Sequence, residues 1–585
     1  MKRNNYDPHH KSLPKFDRRF FNGDSNFTFI GRGSIGGKAS GLARAKGIID
    51  SNLMNSYAPD IIINIPTLTV ISTEYFDLFM KQNKLHDIAY SDIDDEEISG
   101  AFQKADLPVQ LIGDLRALIN KVNTPLAIRS SSMLEDAMFE PFASVYETKM
   151  IPNNQPETDY RYRRLAEAVK FIYASTFFKS AKNYMKATHH NTMDEKMAVI
   201  IQEVIGVKYA DRFYPDISGV ARSYNFYPAG SASSDDGVVD LAIGLGKTIV
   251  DEGISWSFSP ASPRSDPPYN SINDLLDNSQ RDFWAVNMGE PKRYNPITET
   301  EFLSRCGIAD AEYDGTLRFT ASTYSAQNDK IDIGILGKGP RLINFAPILK
   351  LNQIPLNELI ADLLRLFKES YETEVEIEFA VNLDRNNCAP ARLGFLQVRP
   401  MVVSHDEVEL PMEDLRGDDV LLASETVLGN GVIDDMRDII YVKPGSFSSK
   451  VTSGIVPQLD SYNADMMKQK TPYLLIGFGR WGTSDPQGGI PVKFDQIAGA
   501  KVIVEATLPI MNFPLSQGSH FFHNITSFKK FYLSISHSGK YKINWDWLES
   551  QKSSKESENL RHIRLDSPLL IKVDGINSRG VIKHG

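Results

Sequence analysis

The chain has 585 residues, 42% of them hydrophobic and 24% charged, the makeup of a globular protein of several domains rather than a disordered or fibrous one. A formal net charge of -10 with a pI near 5.7, and no basic run to offset it, argues against a general nucleic-acid binder. Cys306 and Cys388 are too few for a disulfide framework or a zinc cage. The amino-terminal stretch lacks the apolar core of a signal peptide, and no apolar run is long enough to span a bilayer, so the expected setting is cytoplasmic with no membrane partner.

In chain order, residues 1–27 form a polar arm whose Phe and Tyr residues suggest that it packs on the domain that follows. Gly36-Gly37-Lys38 then opens a predicted helix. Two glycines allow close backbone approach to an anion, and the lysine adds charge where unpaired N–H groups already favour phosphate; the same residues also serve as an ordinary turn and cap. Residues 124–136 read as a short apolar strand ending in Arg129-Ser130-Ser131-Ser132, with Glu135 and Asp136 behind it. The guanidinium there can fork onto phosphate oxygens, with the serines orienting it, or pair with Glu135 or Asp136 on its own loop. From Thr158 the spacing predicts a helix whose arginines form a solvated face.

The segments 231–237 and 259–268 read as loops. Residues 376–381 and 394–400 alternate like two arms of an antiparallel hairpin, placing Glu376 with Glu378 on one face and Gln397 with Arg399 on another. Carboxylate and amide oxygens suit a hard cation such as Mg²⁺, Glu376 being a second ligand or a bystander; a salt-bridged surface ribbon gives the same pattern.

These landmarks occur together and in order with Phe142 to Thr148, Met197 to Val204, Ser218 to Ala221 and Gly244-Leu245-Gly246. In that order they resemble the ATP-binding part of pyruvate phosphate dikinase and phosphoenolpyruvate synthase, over about residues 28–402. The resemblance implies an α+β chain with an ATP-grasp unit of two subdomains, 28–190 and 191–403. An acidic connector, 404–415, and a smaller mixed α/β accessory domain, 416–585, follow. It implies that Lys38, Arg129 and Arg399 act on the phosphates in catalysis, that Ser144 and Thr148 lie on a phosphate-covering loop, and that Gln202 and Val204 border the adenine. Glu378 and Gln397 would hold Mg²⁺.

Several positions depart from that pattern. Ala39 and Ser144 stand where glycine is common, Lys247 follows Gly-Leu-Gly where Glu is common and reverses a charge near the expected nucleotide, and residues 383–390 lengthen the hairpin tip. The carrier-histidine loop and pyruvate-binding barrel of complete dikinases are absent from the sequence given. The expectation is therefore an ATP- and Mg²⁺-dependent phosphotransferase of unknown acceptor, either a small molecule or a carrier histidine on another protein. The alternatives are a nucleotide-sensing or scaffolding protein and one component of a split dikinase.

In the accessory domain, residues 474–482 match G-x-G-x-x-G after a strand. Helix breakers follow, so a glycine loop shaping a pocket or interface is preferred to a dinucleotide site. His520 and His523, beside a Gly-Ser turn, suit either the edge of a core or phosphoryl acceptance.

Overall fold

The computed structural model describes the chain except for residues 1–12, 20–26, 54–55, 58, 136–144, 188–192, 194, 227, 229–231, 252, 266–270, 291–292, 385–388, 404–407, 449, 484–487, 510, 512–524 and 526–527. The chain divides into two compact units. One holds residues 1–224, 229–249 and 254–400; the other holds 401–585 with the short segments 225–228 and 250–253. Helices and sheets are mixed throughout, an α+β chain.

Two sheets organise the first unit. The first runs in the order β1 (Phe27–Ile30), β3 (Leu68–Ile71), β6 (Met197–Glu203), β4 (Leu126–Ser132), β5 (Thr148–Ile151). The second runs β11 (Trp256–Phe258), β10 (Val238–Ala242), β9 (Ile217–Arg222), β17 (Val375–Asn382), β18 (Ala391–Pro400), β2 (Ile61–Asn64). β2 thus joins the second sheet, parallel to β18, while β6 lies at the centre of the first, so strands from either side of residue 190 are exchanged between the sheets. β7 (Val207–Tyr209), β8 (Arg212–Tyr214), β12 (Asp282–Asn287) and β13 (Leu303–Gly307) form a third sheet, and β14 (Ala321–Ser325), β15 (Lys330–Ile333) and β16 (Arg341–Ile343) a fourth.

The helices follow their apolar spacing. In α1, Gly36–Asn52, the buried Ala39, Leu42, Ala45 and Ile49 recur every three to four residues. The helix α2, Thr158–Ser175, forms where the spacing placed it, and of its three arginines only Arg163 is exposed. Arg161 is buried, donating to the Val122 carbonyl (3.0 Å) and Asn123 Oδ1 (2.7 Å), and Arg164 is clasped by Glu167 and Tyr160. Orphan carbonyls after the helix Val109–Lys121 need donors, and Arg161 supplies one of them. The helix α3, Leu356–Tyr371, buries Leu359, Ile360, Leu363, Leu364 and Phe367 against the second sheet. In the amino-terminal arm, Phe16 is buried and its N–H donates to the Phe29 carbonyl of β1, while the Phe29 N–H donates to the Pro14 carbonyl.

The second unit is built on a nine-stranded mixed sheet: β19 (Val420–Ser424), β29 (Arg579–Lys583), β28 (Leu560–Asp574), β21 (Gly431–Val442), β22 (Tyr473–Phe478), β25 (Ala500–Ala506), β26 (Phe531–Ile535), β20 (Val427–Leu428), with β27 (Ser553–Glu556) on β28. β21, β22, β25 and β26 are parallel, and the helix α4, Thr452–Gln469, makes the crossover between the first two. No helix begins in the described residues directly after β22, 479–483. The two-stranded ribbon β23 (Arg480–Trp481) and β24 (Gly489–Ile490) follows instead, with the Trp481 ring packed on Gly477 and its indole N–H donating to the Val504 carbonyl. Of the glycines at 474–482, Gly477 thus serves close packing of that ring, while Gly479 and Gly482 take positive φ. Among the described residues no helix is long and apolar enough to cross a membrane.

Candidate functional site

The turn before α1 is pressed against the end of β4. Gly36 has φ +78°, and a Cβ there would lie 1.8 Å from the Ser131 carbonyl oxygen; at Gly37 it would lie 1.7 Å from that of Glu135. Both positions require glycine because backbone meets backbone. Ala39, at the position where the family pattern has another glycine, is buried, and its N–H donates to Ser131 Oγ (3.0 Å), which in turn donates to the Ile35 carbonyl (2.8 Å).

That junction presents Lys38 to Glu135. The ammonium lies 2.6 Å from Glu135 Oε1 and 3.3 Å from Ser130 Oγ, and the carboxylate is buried, accepting also from Ser130 Oγ (2.9 Å) and the Ser132 N–H (2.8 Å). The serines beyond Arg129 therefore hold the junction together rather than Arg129 itself. Beside them Glu195 is buried, and burial pushes its carboxyl up to about 7, against Ser132 and with a further push from the Glu135 charge.

Arg129 does not turn back onto its own loop. It donates across to β18, to the Leu396 carbonyl (3.0 Å) and Gln397 Oε1 (2.8 Å), and to Gln202 Oε1 on β6 (3.3 Å); Glu378 Oε2 is 3.6 Å away. The hairpin of β17 and β18 is present, with Glu378 opposite Gln397 and Glu376 opposite Arg399. Its register shifts after Glu378, and this bulge leaves Leu396 without a ladder partner and its carbonyl turned to Arg129. Arg399 reaches both acids: its NH2 donates to Glu378 Oε1 at 2.6 Å and its Nε lies 3.3 Å from Glu376 Oε1. Burial alone would raise the Glu378 carboxyl, but Arg399, Arg129 and Lys38 outweigh it and hold the group below the usual carboxylate range.

Lys38, Arg129, Glu378, Gln397 and Arg399 are thus brought together by α1, β4 and the β17–β18 hairpin. Thr148 opens β5 directly opposite Arg129, while Ser144 lies outside the described residues. Gln202 is buried, and its amide Nε2 has no hydrogen-bond partner among the described residues. Val204 packs with Met150, Trp284, Met288 and Leu303 on a small apolar cluster of Phe213, Leu245 and Val286. Val204 thus lies in an apolar cluster, and Gln202 accepts from Arg129.

The reversed charge of Lys247 is answered by Glu299 at 3.2 Å, so the pair adds no net charge. Glu378 and Gln397 offer a carboxylate and an amide oxygen, a donor set that fits a hard divalent cation, and guanidinium nitrogens already lie against both. Glu376 is engaged by two arginines, Arg399 and Arg222. Sequence reasoning missed Glu135 as the partner of Lys38, Glu195 beside it, and the Leu396 bulge; only Glu135 left a trace, in its place after the three serines. His520, His523 and Cys388 lie outside the described residues.

No curated protein matches the chain. The family model described as the pyruvate phosphate dikinase AMP/ATP-binding domain matches residues 32–417, two thirds of the sequence, and spans every residue of the site just described. The chain belongs to the family of the pyruvate phosphate dikinase AMP/ATP-binding domain.

Proposed function

We propose that residues 28–403 form an ATP-grasp unit that binds ATP with Mg²⁺ and transfers a phosphoryl group, and that the region from 416 onward governs the acceptor. The observation that carries the reading is the convergence of Arg129 and Arg399 on the Glu378–Gln397 pair, with Lys38, held by Glu135, near enough for its charge to act on Glu378. In this proposal the three cations neutralise phosphate oxygens, and Thr148, with Ser144, covers them. Gln202 and Val204 border the adenine. Glu378 and Gln397 would hold Mg²⁺, which supplies charge neutralisation and alignment of the group being transferred. Arg129 and Arg399 exchange their carboxylate and amide partners for phosphate oxygens as the nucleotide arrives. The acceptor is a small molecule or a histidine on another chain, and the two cysteines suit a reducing cytoplasm.

The test is nucleotide titration and product analysis with Mg²⁺. Wild-type protein should bind ATP, with Lys38→Ala and Arg129→Ala each lowering affinity or turnover, by about 10²–10³ in rate for a preorganised charge. Unchanged affinity and turnover in both variants refute the phosphate assignment. AMP plus phosphate as products mark dikinase chemistry and ADP a simple kinase, whereas binding without any product marks a nucleotide sensor.

A further inference from the structure

Behind the hairpin runs a row of buried charges that the proposed chemistry does not use. Asp240 on β10, Arg222 on β9, Glu376 on β17 and Arg399 on β18 lie on four adjacent strands, and each is at least nine-tenths buried. Arg222 NH1 donates to Asp240 Oδ2 at 2.9 Å and its Nε to Glu376 Oε2 at 2.8 Å. Ser257 Oγ on β11 donates to the other oxygen of Asp240. Glu376 Oε1 faces Arg399 Nε, and Arg399 NH2 goes on to Glu378, the proposed metal ligand. Signs alternate along the whole row, so every buried charge has opposite neighbours, the condition under which such charges are tolerated away from water.

We infer that Arg222, held in turn by Asp240, is a positioning residue: by occupying one oxygen of Glu376 it leaves Arg399 only the other, and so keeps the Arg399 guanidinium turned toward Glu378 and the phosphate side of the hairpin. The physical reason is the preference of a carboxylate facing a single arginine for the two-bond fork. With Arg222 on Oε2 at 2.8 Å, Arg399 approaches the other oxygen, its Nε 3.3 Å from Oε1. Remove Arg222, and Glu376 can claim two nitrogens of Arg399, drawing it off Glu378. Glu376 is on this account an anchor for Arg399 and not a second metal ligand. The inference rests on the ATP reading of the site.

The experiment is a double-mutant cycle read by MgATP affinity in titration calorimetry, with thermal midpoints to verify folding. Arg222→Met should weaken MgATP by about 10–100-fold, the size seen when a group supporting a site residue is lost. In an Arg399→Lys background, which has no fork to misplace, Arg222→Met should cost little more, since residues acting through one another are not additive. Should Arg222→Met fail to fold, Asp240→Asn takes its place in the cycle: it keeps the shape and frees Arg222 to take both oxygens of Glu376, which removes the anchor of Arg399 instead of tightening it, so the loss of binding should again depend on Arg399. Equal losses in both backgrounds, or wild-type affinity in the single variant, overturn the inference while leaving the ATP reading intact. A wild-type protein that binds no MgATP overturns that reading, and this inference with it.

Discussion

Glu195 offers a test of the site's electrostatics that needs no substrate. It precedes β6, is 5% exposed, and its Oε1 has no hydrogen-bond partner among the described residues. Burial carries its carboxyl from an ordinary 4.5 to about 7, with the neighbouring Glu135 charge adding to the rise and Ser132 and the Met133 N–H opposing it. The folded chain therefore keeps a proton that the unfolded chain loses between these values, so stability falls as pH rises through that window and is level above it. The penalty at pH 8 is at most about 3.5 kcal/mol, from about 1.4 kcal/mol for each tenfold change in proton affinity.

Glu195→Gln keeps the shape of the protonated acid and cannot ionise. For a unit near 390 residues, at about 2 cal/mol/K per residue, about 3.5 kcal/mol moves the unfolding midpoint by about 4 °C. The assay is scanning calorimetry of wild type and variant at about pH 5 and pH 8 in matched salt. The variant should exceed wild type in the first unit's transition at the higher pH and converge with it at the lower. A gap of the same size at both, or a larger one at pH 5, refutes the assignment of a raised carboxyl to this position.

Two further outcomes bear on the same site. Glu378→Gln removes the only charge of the proposed metal pair while keeping its shape, so the Mg²⁺ needed for half-maximal nucleotide binding or turnover should rise by about 10–100-fold. Metal-free ATP should bind no worse, because Arg129 and Arg399 lose a competing acid; an unchanged Mg²⁺ titration counts against Glu378 as a ligand. Gly37→Ala places a methyl 1.7 Å from the Glu135 carbonyl oxygen, forcing the Lys38 turn off β4, and should cost nucleotide affinity by about 10²-fold, the effect of a displacement near 1 Å. Gly47→Ala, where a Cβ meets nothing within 4 Å, is the control and should stabilise α1 by about 1 kcal/mol; equal effects of the two changes in titration and melting rule out the close-contact argument.

Local chemistry made part of this protein legible from residue order alone. The paired glycines and lysine before α1, the strand ending in Arg129 and the alternation of the β17–β18 hairpin each follow from short-range rules of backbone freedom and side-chain periodicity, and their order carried the family. Those rules do not say which charge meets which. Arg129 had Glu135 six residues away, yet Glu135 closes on Lys38 and Arg129 crosses to β18, 267 residues further along the chain at Leu396. Arg161 of α2 looked as solvated as Arg163, which is exposed, because helical spacing shows a polar face but not the carbonyl that another helix end turns toward it. Nor does periodicity foretell that β2 and β6 trade sheets, that a one-residue bulge frees the Leu396 carbonyl, or that Arg222 and Asp240 extend the row behind Arg399. Strand neighbours and register are chosen by the closing of the whole core, where a shift of one residue would turn every buried charge to the wrong face, so the partners of the candidate site belong to the tertiary structure and its residue types to the sequence.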